Sequence, residues 1–244
     1  MAMPPHEINA LGQPIGFTVA NWTPPPRPSL DPMVGRFCRV EPLDAARHAT
    51  DLHAANRIDA EGRNWTYLPY GPFETPASYT AWVESVAGKP DPMFWAIVDL
   101  ATDKAVGVAS YLRIDPDSGS IEVGHINFSP LLQRNPAGTE AMHLMMQRAF
   151  TLGYRRYEWK CDALNAASRA AAQRYGFSYE GIFRQARLTK GHNRDTAWYG
   201  AIDSEWPALD RAFRRWLEPS NFDHQGRQRF ALSTLTSPIL VMRG

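Results

Sequence analysis

Cysteine is scarce in this sequence of 244 residues, which contains only Cys38 and Cys161. The two cysteines lie far apart in the chain and form no CxxC pair. This pattern excludes a zinc-type cluster and a disulfide framework. We therefore expect two reduced thiols in a cytoplasmic protein.

An excess of charge of one sign is also lacking. Lys and Arg number 26 and Asp and Glu number 25, so the formal net charge is +1. Nucleic acids and anionic membranes attract basic proteins, and we expect neither as the main partner. No apolar run approaches the roughly 20 residues of a membrane span, and the N-terminus has no signal-peptide pattern. The 44% of hydrophobic residues is typical of a globular protein with a substantial core.

Proline and glycine are concentrated near the N-terminus, where residues 24–28 read PPPRP. We expect residues 1–35 to form an extended arm, residues 36–203 a globular domain, and residues 204–244 a C-terminal helix and tail. Apolar side chains in the arm and along the helix predict that both segments pack on the core or on a second subunit. A homodimer is therefore one expectation.

The periodicity of the apolar residues predicts the order of the regular elements. The predicted strands are 36–41, 94–100, 105–114, 121–128, 157–164, 179–188 and 196–202. The predicted helices are 43–55, 76–87, 136–152, 166–175 and 205–217. Short turns between the three strands from 94 to 128 predict antiparallel hairpins. The strand–helix–strand succession that follows predicts a mixed α/β sheet.

The segment that precedes the helix predicted at 136–152 is the strongest candidate site. A helix N-terminus has unpaired N–H groups and the positive end of the helix dipole, and it therefore attracts phosphate. Asn135 is predicted to be the N-cap of this helix, and Pro136 suits its first position. Gly138 permits close approach of a ligand to the backbone. An ordinary capped helix explains the same residues without a ligand.

The run from Gln133 to Ala141, QRNPAGTEA, resembles the pyrophosphate-binding loop of GNAT (Gcn5-related) acetyltransferases, whose pattern is Gln/Arg-x-x-Gly-x-Gly/Ala. Pro136 replaces a glycine of that pattern and removes one amide donor. A second stretch, with Asn165-Ala166-Ala167-Ser168, then Arg174-Tyr175-Gly176-Phe177 and Glu180-Gly181, resembles the RimJ/RimL-like ribosomal-protein N-acetyltransferases. The resemblance covers about residues 36–203.

The resemblance implies a GNAT fold. In this fold a mixed, mostly antiparallel sheet is flanked by helices and opens a V-shaped acetyl-CoA cleft between strands 121–128 and 157–164. It implies acetyl-CoA as co-substrate and no metal. The implied pyrophosphate contacts are Gln133, Arg134, Asn135, Ala137, Gly138 and Thr139. The implied pantetheine contacts are Ile126, Asn127, Phe128 and Asn165.

The resemblance further implies direct attack of the acceptor amine on the thioester within a ternary complex. Such a site needs a base for the ammonium and a hydrogen-bond donor for the departing thiolate. Ser168 matches the thiolate partner, although a serine in a first helical turn also has a structural explanation. Glu122 is the first choice for the base. His125, expected on the opposite face by strand alternation, and Asp162 are alternatives.

The aromatic loop 64–73 occupies the position that covers the acceptor in this family. Trp65, Tyr67 and Tyr70 are predicted to line a substrate pocket, but core packing explains them equally well. Arg194 and Asp195 either form an ion pair or contact the acceptor.

The leading interpretation is an N-acetyltransferase that acts on a protein N-terminus or on a small-molecule amine. One alternative is a GNAT-fold module that binds an acyl-CoA as a sensor without turnover, for which Pro136 is the main argument. A second is a binder of another phosphate-containing ligand.

Overall fold

Ten strands and six helices follow one another in the computed structural model, which describes residues 5–244. The first four residues of the predicted arm lie outside it. The strands are β1 (His6–Ile8), β2 (Pro14–Gly16), β3 (Met33–Val34), β4 (Cys38–Pro42), β5 (Met93–Asp99), β6 (Lys104–Asp115), β7 (Ser120–Phe128), β8 (Arg156–Asp162), β9 (Ser178–Thr189) and β10 (His192–Ile202). The helices are α1 (Ala45–Asn56), α2 (Pro76–Val86), α3 (Pro136–Thr151), α4 (Ala166–Arg174), α5 (Trp206–Leu217) and α6 (Leu232–Thr236).

The predicted order of elements from β4 to α5 is confirmed. The largest difference in a boundary concerns β10, which begins at His192 rather than at residue 196. The β1–β2 hairpin, β3 and α6 were not predicted. These elements have two to five residues each, too few for an apolar period to appear in the sequence.

Eight strands form one sheet in the order β3-β4-β5-β6-β7-β8-β10-β9, and β1 pairs with β2 separately. All neighbours in the large sheet are antiparallel except β7 and β8. This exception follows from the chain path, because α3 carries the chain from the end of β7 back to the start of β8. The predicted mixed, mostly antiparallel sheet is confirmed.

Side-chain caps explain where the helices begin. The Asp44 carboxylate accepts a hydrogen bond from the Arg47 amide at 2.8 Å and caps α1. Thr75 and Ser78 form a reciprocal capping box at the start of α2. The Asn135 side chain accepts from the Ala137 amide at 2.9 Å, ahead of Pro136 at the first position of α3. The predicted cap of α3 is therefore present.

Helices cover both faces of the large sheet. On one face, α1 and α2 enclose a core cluster that includes Leu52, Val83 and Phe94. On the other face, α3 lies between the sheet and α5, in a cluster that includes Met145 and Phe213. Because α3 is covered on both sides, ten of its residues are buried, including polar ones.

Glu140 on α3 joins that helix to the beginning of the sheet. Its carboxylate accepts hydrogen bonds from the amides of Arg36 at 2.8 Å, Phe37 at 2.6 Å and Cys38 at 2.9 Å. Gly35 lies so close that a Cβ there would be 2.3 Å from the carboxyl group. The buried carboxylate therefore sets the backbone path into β4.

The N-terminal arm contacts the turn between β6 and β7. The Trp22 indole donates to the Asp117 carbonyl at 3.3 Å, and the Arg155 guanidinium lies 5.7 Å from the Trp22 ring centroid. Phe17 and Val19, two other apolar residues of the arm, are 53% and 40% exposed. Trp22 is therefore the docking residue among these three.

The C-terminal helix α5 packs on its own domain. Leu209, Phe213 and Trp216 are buried in the main core, where α5 contacts α3 and α6. The His143 ring stacks on Phe213 at 5.0 Å and hydrogen-bonds Asp210 at 2.7 Å, which ties α3 to α5. The apolar stripe of α5 is thus covered within the chain.

No helix between residues 5 and 244 is long and apolar enough to cross a bilayer. The same part of the chain contains no group of three or more His, Cys, Asp and Glu side chains placed to hold a metal ion. Cys38 and Cys161 are free and buried.

Candidate active site

A cleft opens where the two parallel strands of the sheet separate. β7 and β8 pair from Ser120 and Arg156 to Val123 and Trp159, and pairing ends there. Beyond this point β7 carries a bulge, in which two of its residues oppose one residue of β6. A bulge bends the strand that carries it, so the second half of β7 leaves β8. The expected V-shaped opening is confirmed.

A cavity of about 360 Å³ lies in this opening and is called the central cavity below. Strands β7 to β10, the start of α4 and the loop before α2 contribute to its wall. Its lining includes the predicted residues Glu122, Ser168, Asn165 and Tyr67, and the alternatives His125 and Asp162. The structure therefore brings most of the expected catalytic side chains to one place.

Glu122 is only 3% exposed and has two cationic neighbours. Its Oε2 atom lies 2.6 Å from Arg113 Nη1 and 2.9 Å from Lys160 Nζ. Its Oε1 atom has no hydrogen bond among the described residues, so one oxygen remains able to accept from a water or an ammonium group. This geometry is compatible with a base that acts through water.

Lys160 belongs to a chain of alternating charges that fixes Glu122 in place. Its ammonium group lies 2.6 Å from the Glu158 carboxylate, which also pairs with Arg156 at 2.7 Å. The Lys160 ammonium is also 3.6 Å from the centroid of the Trp198 ring. Each charge in the chain is thus neutralised by its neighbours.

His125 lies on the same face of the sheet as Glu122, and the expectation of opposite faces was wrong. The bulge places His125 at a positive φ of 50°, which breaks the alternation of side chains. Its ring stacks on Tyr70 at 5.6 Å and lies 5.1 Å from the ring of Phe94, which shares the face of Glu122. His125 Nδ1 is 3.2 Å from the Tyr70 hydroxyl.

Burial holds the His125 imidazole neutral. Desolvation, followed by the positive charges of Arg113, Arg187 and Arg194, lowers the pKa of His125 from its usual 6.5 to about 4. A pKa of about 4 makes the His125 imidazole a weak base at pH 7. Glu122 is retained as the candidate base on geometry, because its Oε1 atom is left to hold a water.

The low pKa of His125 predicts a pH dependence of stability. Below pH 6.5 the unfolded chain binds a proton at this site, whereas the folded chain does so only near pH 4. As the pH decreases from 6.5 to about 4, the free energy of unfolding should therefore decrease. His125→Gln should remove this part of the pH dependence. Urea unfolding at pH 7.5 and 5 measures it. His192→Gln, at the exposed start of β10, should show the wild-type pH dependence. If His125→Gln also shows the wild-type pH dependence, the low pKa of His125 is contradicted.

Asn165 and Ser168 lie at the start of α4 on the cavity wall. Asn165 Oδ1 accepts from the Ser168 amide at 3.0 Å and is the N-cap of that helix. Ser168 Oγ accepts from the Trp159 indole at 3.0 Å. Because Trp159 occupies an acceptor position, the hydroxyl proton of Ser168 is available to another acceptor. The capping role and a role at the cavity are thus compatible.

The aromatic loop contributes to the site unequally. Tyr67 lines the central cavity, and its hydroxyl donates to the Leu164 carbonyl at 3.3 Å. Trp65 is 3% exposed in the core between the loop and α2, so its prediction as a lining residue is corrected. Tyr70 lies behind His125 and supports that ring rather than lining the cavity.

Arg194 and Asp195 do not form the ion pair that was one expectation. Asp195 Oδ1 accepts from the Gln185 amide at 2.7 Å and from the Asn193 side chain at 3.0 Å, away from the cavity. Arg194 lines the central cavity. Alternation along β10 explains why consecutive residues face opposite sides.

A second cavity, of about 560 Å³, lies at the N-terminus of α3. Its lining includes the predicted Arg134, Asn135, Gly138 and Thr139. The structure adds Arg174, whose guanidinium hydrogen-bonds Thr139 at 3.1 Å, and Arg227 from the C-terminal tail. The contribution of the tail was not predicted, because nothing in the local sequence shows where a mixed C-terminal segment docks.

The loop before α3 already uses several of its own polar groups. The amides of Asn135, Ala137 and Gly138 donate to acceptors within the loop. Gln133 Nε2 donates to the Phe128 carbonyl and to Asn64 Oδ1, both at 2.9 Å. Gln133 therefore braces the loop against β7 instead of reaching outward to an anion.

Other features of this region are open to a ligand. Arg134 is exposed at a positive φ of 59°. A Cβ on Gly138 would be 3.0 Å from Phe128 Cε2 and 3.2 Å from the Leu132 carbonyl oxygen, so the loop passes very close to β7. The neighbouring Asn127 side chain is buried, and neither its Nδ2 nor its Oδ1 atom has a hydrogen-bond partner among residues 5–244.

The edge of β7 that faces β8 is unpaired after Val123, and this edge includes Ile126, Asn127 and Phe128. Unpaired strand edges can bind an extended ligand by main-chain hydrogen bonds. The Phe128 carbonyl is occupied by Gln133, as described above. The predicted pantetheine contacts thus lie on an accessible edge, with Asn127 carrying the unused amide.

Comparisons with known proteins support the same interpretation. A sequence model of the acetyltransferase (GNAT) domain matches residues 39–178. A GCN5-related N-acetyltransferase from Brucella melitensis is 45% identical, with a TM-score of 0.87 over 90% of this chain and 100% of that chain. A probable GNAT-family acetyltransferase from Chromobacterium violaceum ATCC 12472 is 38% identical, with a TM-score of 0.74 over 80% of this chain and 98% of that chain.

A more distant structure shares the fold. It is the microcin C7 self-immunity acetyltransferase MccE in complex with acetyl-CoA and AMP, which is 20% identical, with a TM-score of 0.61 over 71% of this chain and 98% of that chain. No functionally curated protein matches the chain significantly.

Proposed function

The chain belongs to the GNAT acetyltransferase family, and on this basis we propose that it transfers the acetyl group of acetyl-CoA to a primary amine. The observation that carries the proposal is the separation of β7 from β8. That opening connects a strand edge able to bind an extended ligand with a cavity that contains Glu122 and Ser168.

The residues around the opening fit acetyl-CoA. Arg134 and Arg174 supply positive charge at the N-terminus of α3, where a pyrophosphate would be stabilised. The unpartnered amide of Asn127 supplies a donor and an acceptor for an amide-containing arm. Gly138 keeps the loop close to β7. Acetyl-CoA supplies the activated acetyl group, and these residues hold it.

Two side chains are proposed to act on the reacting groups. Glu122, through its Oε1 atom and a water, takes the proton that the acceptor ammonium must lose before attack. Ser168 donates its hydroxyl proton in a hydrogen bond to the departing thiolate. His125 is neutral at pH 7 and is proposed to shape the cavity with Tyr70.

The proposed acceptor is a protein N-terminus or a small-molecule amine. The RimJ/RimL-like stretch from Asn165 to Gly181 supports the first, and the modest volume of the central cavity, about 360 Å³, supports the second. The proposal includes a cytoplasmic location, which the two free cysteines support. It includes no nucleic-acid or membrane partner, which the net charge of +1 supports.

A homodimer stays a prediction. Exposed apolar side chains on and beside the β1–β2 hairpin, among them Ile8, Leu11 and Phe17, support a contact with another subunit.

Thermal unfolding with saturating acetyl-CoA tests the proposed ligand. At about 100 times the dissociation constant, a ligand of the folded state adds about 2.7 kcal/mol, which is roughly 5–10 °C for a chain of this size. Gly138→Val should abolish most of this shift, because the added methyl groups force the loop away from Phe128 and Leu132.

The controls separate a lost ligand from a damaged fold. Gly16→Val lies in open space on the β1–β2 hairpin and should keep the full shift. ATP and NAD should shift neither protein. Absence of a shift with acetyl-CoA would remove the ligand and the catalytic assignment together. A shift without release of free thiol, for any amine tested, would favour the sensor alternative.

A further inference from the structure

Two arginines oppose each other directly across the β9–β10 hairpin. Arg187 on β9 is the register partner of Arg194 on β10. Like charges at directly opposite positions of an antiparallel pair destabilise the pair. Arg187 is exposed and Arg194 is half-buried, so solvent screens only part of this repulsion, and a nearby anion would reduce the rest.

Asp162 and Glu122 act on Arg194 only from a distance, and no carboxylate of the described residues lies within ion-pair distance of either arginine. Between residues 5 and 244, neither guanidinium takes part in an ion pair or in a side-chain hydrogen bond. Arg194 Nε is buried and has no hydrogen-bond partner. Burial also lowers the pKa of the Arg194 guanidinium, the direction expected of a desolvated cation.

The other cations of the central cavity are compensated. Arg113 and Lys160 both bind the carboxylate of Glu122, and Lys160 also binds Glu158. Asp162 lines the cavity but is not within ion-pair distance of Arg194. Among the cations of the described wall, Arg187 and Arg194 are thus the ones without a carboxylate at ion-pair distance, although Asp162 and Glu122 act on Arg194 from farther away.

The arginine pair faces the space into which the acceptor must enter. Both arginines line the central cavity, and the positive charge of each lowers the pKa of His125. Ser168 lines the same cavity from α4. An anion bound to Arg187 and Arg194 would thus belong to the molecule that occupies the cavity with the reacting groups.

We propose that the acceptor amine carries an anionic group, a carboxylate or a phosphate, and that Arg187 and Arg194 bind this group. The inference rests on the proposed function and restricts the proposed acceptors to amines that carry such a group. Two guanidinium groups supply several donors, and charge-assisted hydrogen bonds of this kind are strong and directional. An anion would also compensate for the repulsion between the two strands. Neutral amines and polyamines lack the group and are poor acceptors.

Matched amines that differ in the anionic group test the proposal. With acetyl-CoA, we would compare free-thiol release for phenylalanine and phenylalaninamide, for alanylalanine and its C-terminal amide, and for phosphoethanolamine and ethanolamine. At least one anionic member should exceed its neutral partner about tenfold or more in kcat/KM, mainly through KM, because a charged hydrogen bond is lost in the neutral one. The pair of amines that shows this difference in kcat/KM identifies the anionic group as a carboxylate or a phosphate.

Substitution of each arginine tests whether Arg187 and Arg194 cause the preference for anionic amines. Arg187→Gln and Arg194→Gln should each reduce the ratio of anionic to neutral kcat/KM toward one. Arg184→Gln, on the same hairpin but outside the central cavity, should keep the wild-type ratio. Equal rates for both members of every pair would overturn the proposal, as would an unchanged ratio in both arginine variants.

A binding measurement covers the case in which no tested amine reacts. Thermal shifts of the CoA-saturated protein with each compound should be larger for the anionic members than for the neutral ones. Equal shifts would refute the anion site while leaving acetyl-CoA binding intact. Absence of any shift with acetyl-CoA itself would instead refute the proposed function, and this inference with it.

Discussion

Glu140→Gln should lower the free energy of unfolding by about 3 kcal/mol, since hydrogen bonds to a charged acceptor contribute about 1.5–3 kcal/mol each. The Glu140 carboxylate accepts three backbone hydrogen bonds from residues 36–38 while 6% exposed. A glutamine keeps one oxygen and turns its NH₂ group toward an amide that then has no acceptor. The melting temperature should fall by roughly 6–12 °C.

Urea unfolding of wild type, Glu140→Gln and Glu61→Gln makes the comparison. Glu61 is exposed and pairs only with Arg63 on the surface, so its substitution should change stability by less than about 0.5 kcal/mol. A loss for Glu140→Gln no larger than that for Glu61→Gln would show that the Glu140 carboxylate does not hold the start of the sheet.

Ser168→Ala should reduce kcat roughly a hundredfold, because proton donation in the transition state contributes typically 10²–10⁴-fold. The hydroxyl is oriented by the Trp159 indole at 3.0 Å, which leaves its proton for the departing thiolate. Acetyl-CoA affinity should stay within a few fold, since the Asn165 cap uses the Ser168 amide and survives the substitution. Steady-state rates and thermal shifts with acetyl-CoA measure the two effects.

Trp159→Phe is the matched variant for this prediction. It keeps the Ser168 hydroxyl but removes the donor that orients it, so its loss in kcat should be smaller than that of Ser168→Ala. A wild-type kcat for Ser168→Ala would exclude the hydroxyl from the mechanism. A parallel loss of acetyl-CoA affinity would indicate a binding role instead.

The order of elements was predictable because each element is encoded locally. Apolar spacing of 3.6 residues distinguishes α3, and Asn135 followed by Pro136 marks its start. The N-cap role of Asn165 was predictable for the same reason, because a helix cap and its first turn depend on neighbouring residues only. The resemblance to the family's Asn-x-x-Ser stretch, rather than any local signal, singled out Ser168 as a candidate.

Several features of the site depend on contacts between distant segments. The bulge at His125 arises from pairing with β6, and alternation therefore assigned His125 to the wrong face. Trp65 and Tyr67 are two residues apart in an irregular loop, where no period distinguishes the core from the cavity wall. Arg227 reaches the second cavity only because the tail folds back.

By itself, the sequence of this protein determined the succession of strands and helices, the capped start of α3 and the motif that places it among the GNAT acetyltransferases. Only the tertiary structure decided which charges are compensated. Arg113, Glu122 and Lys160 come from three strands and form ion pairs, whereas Arg187 and Arg194 meet without a carboxylate at ion-pair distance in the described chain. The reason is physical: periodicity reports burial along one element, but electrostatic pairing depends on the register between elements, which long-range contacts establish.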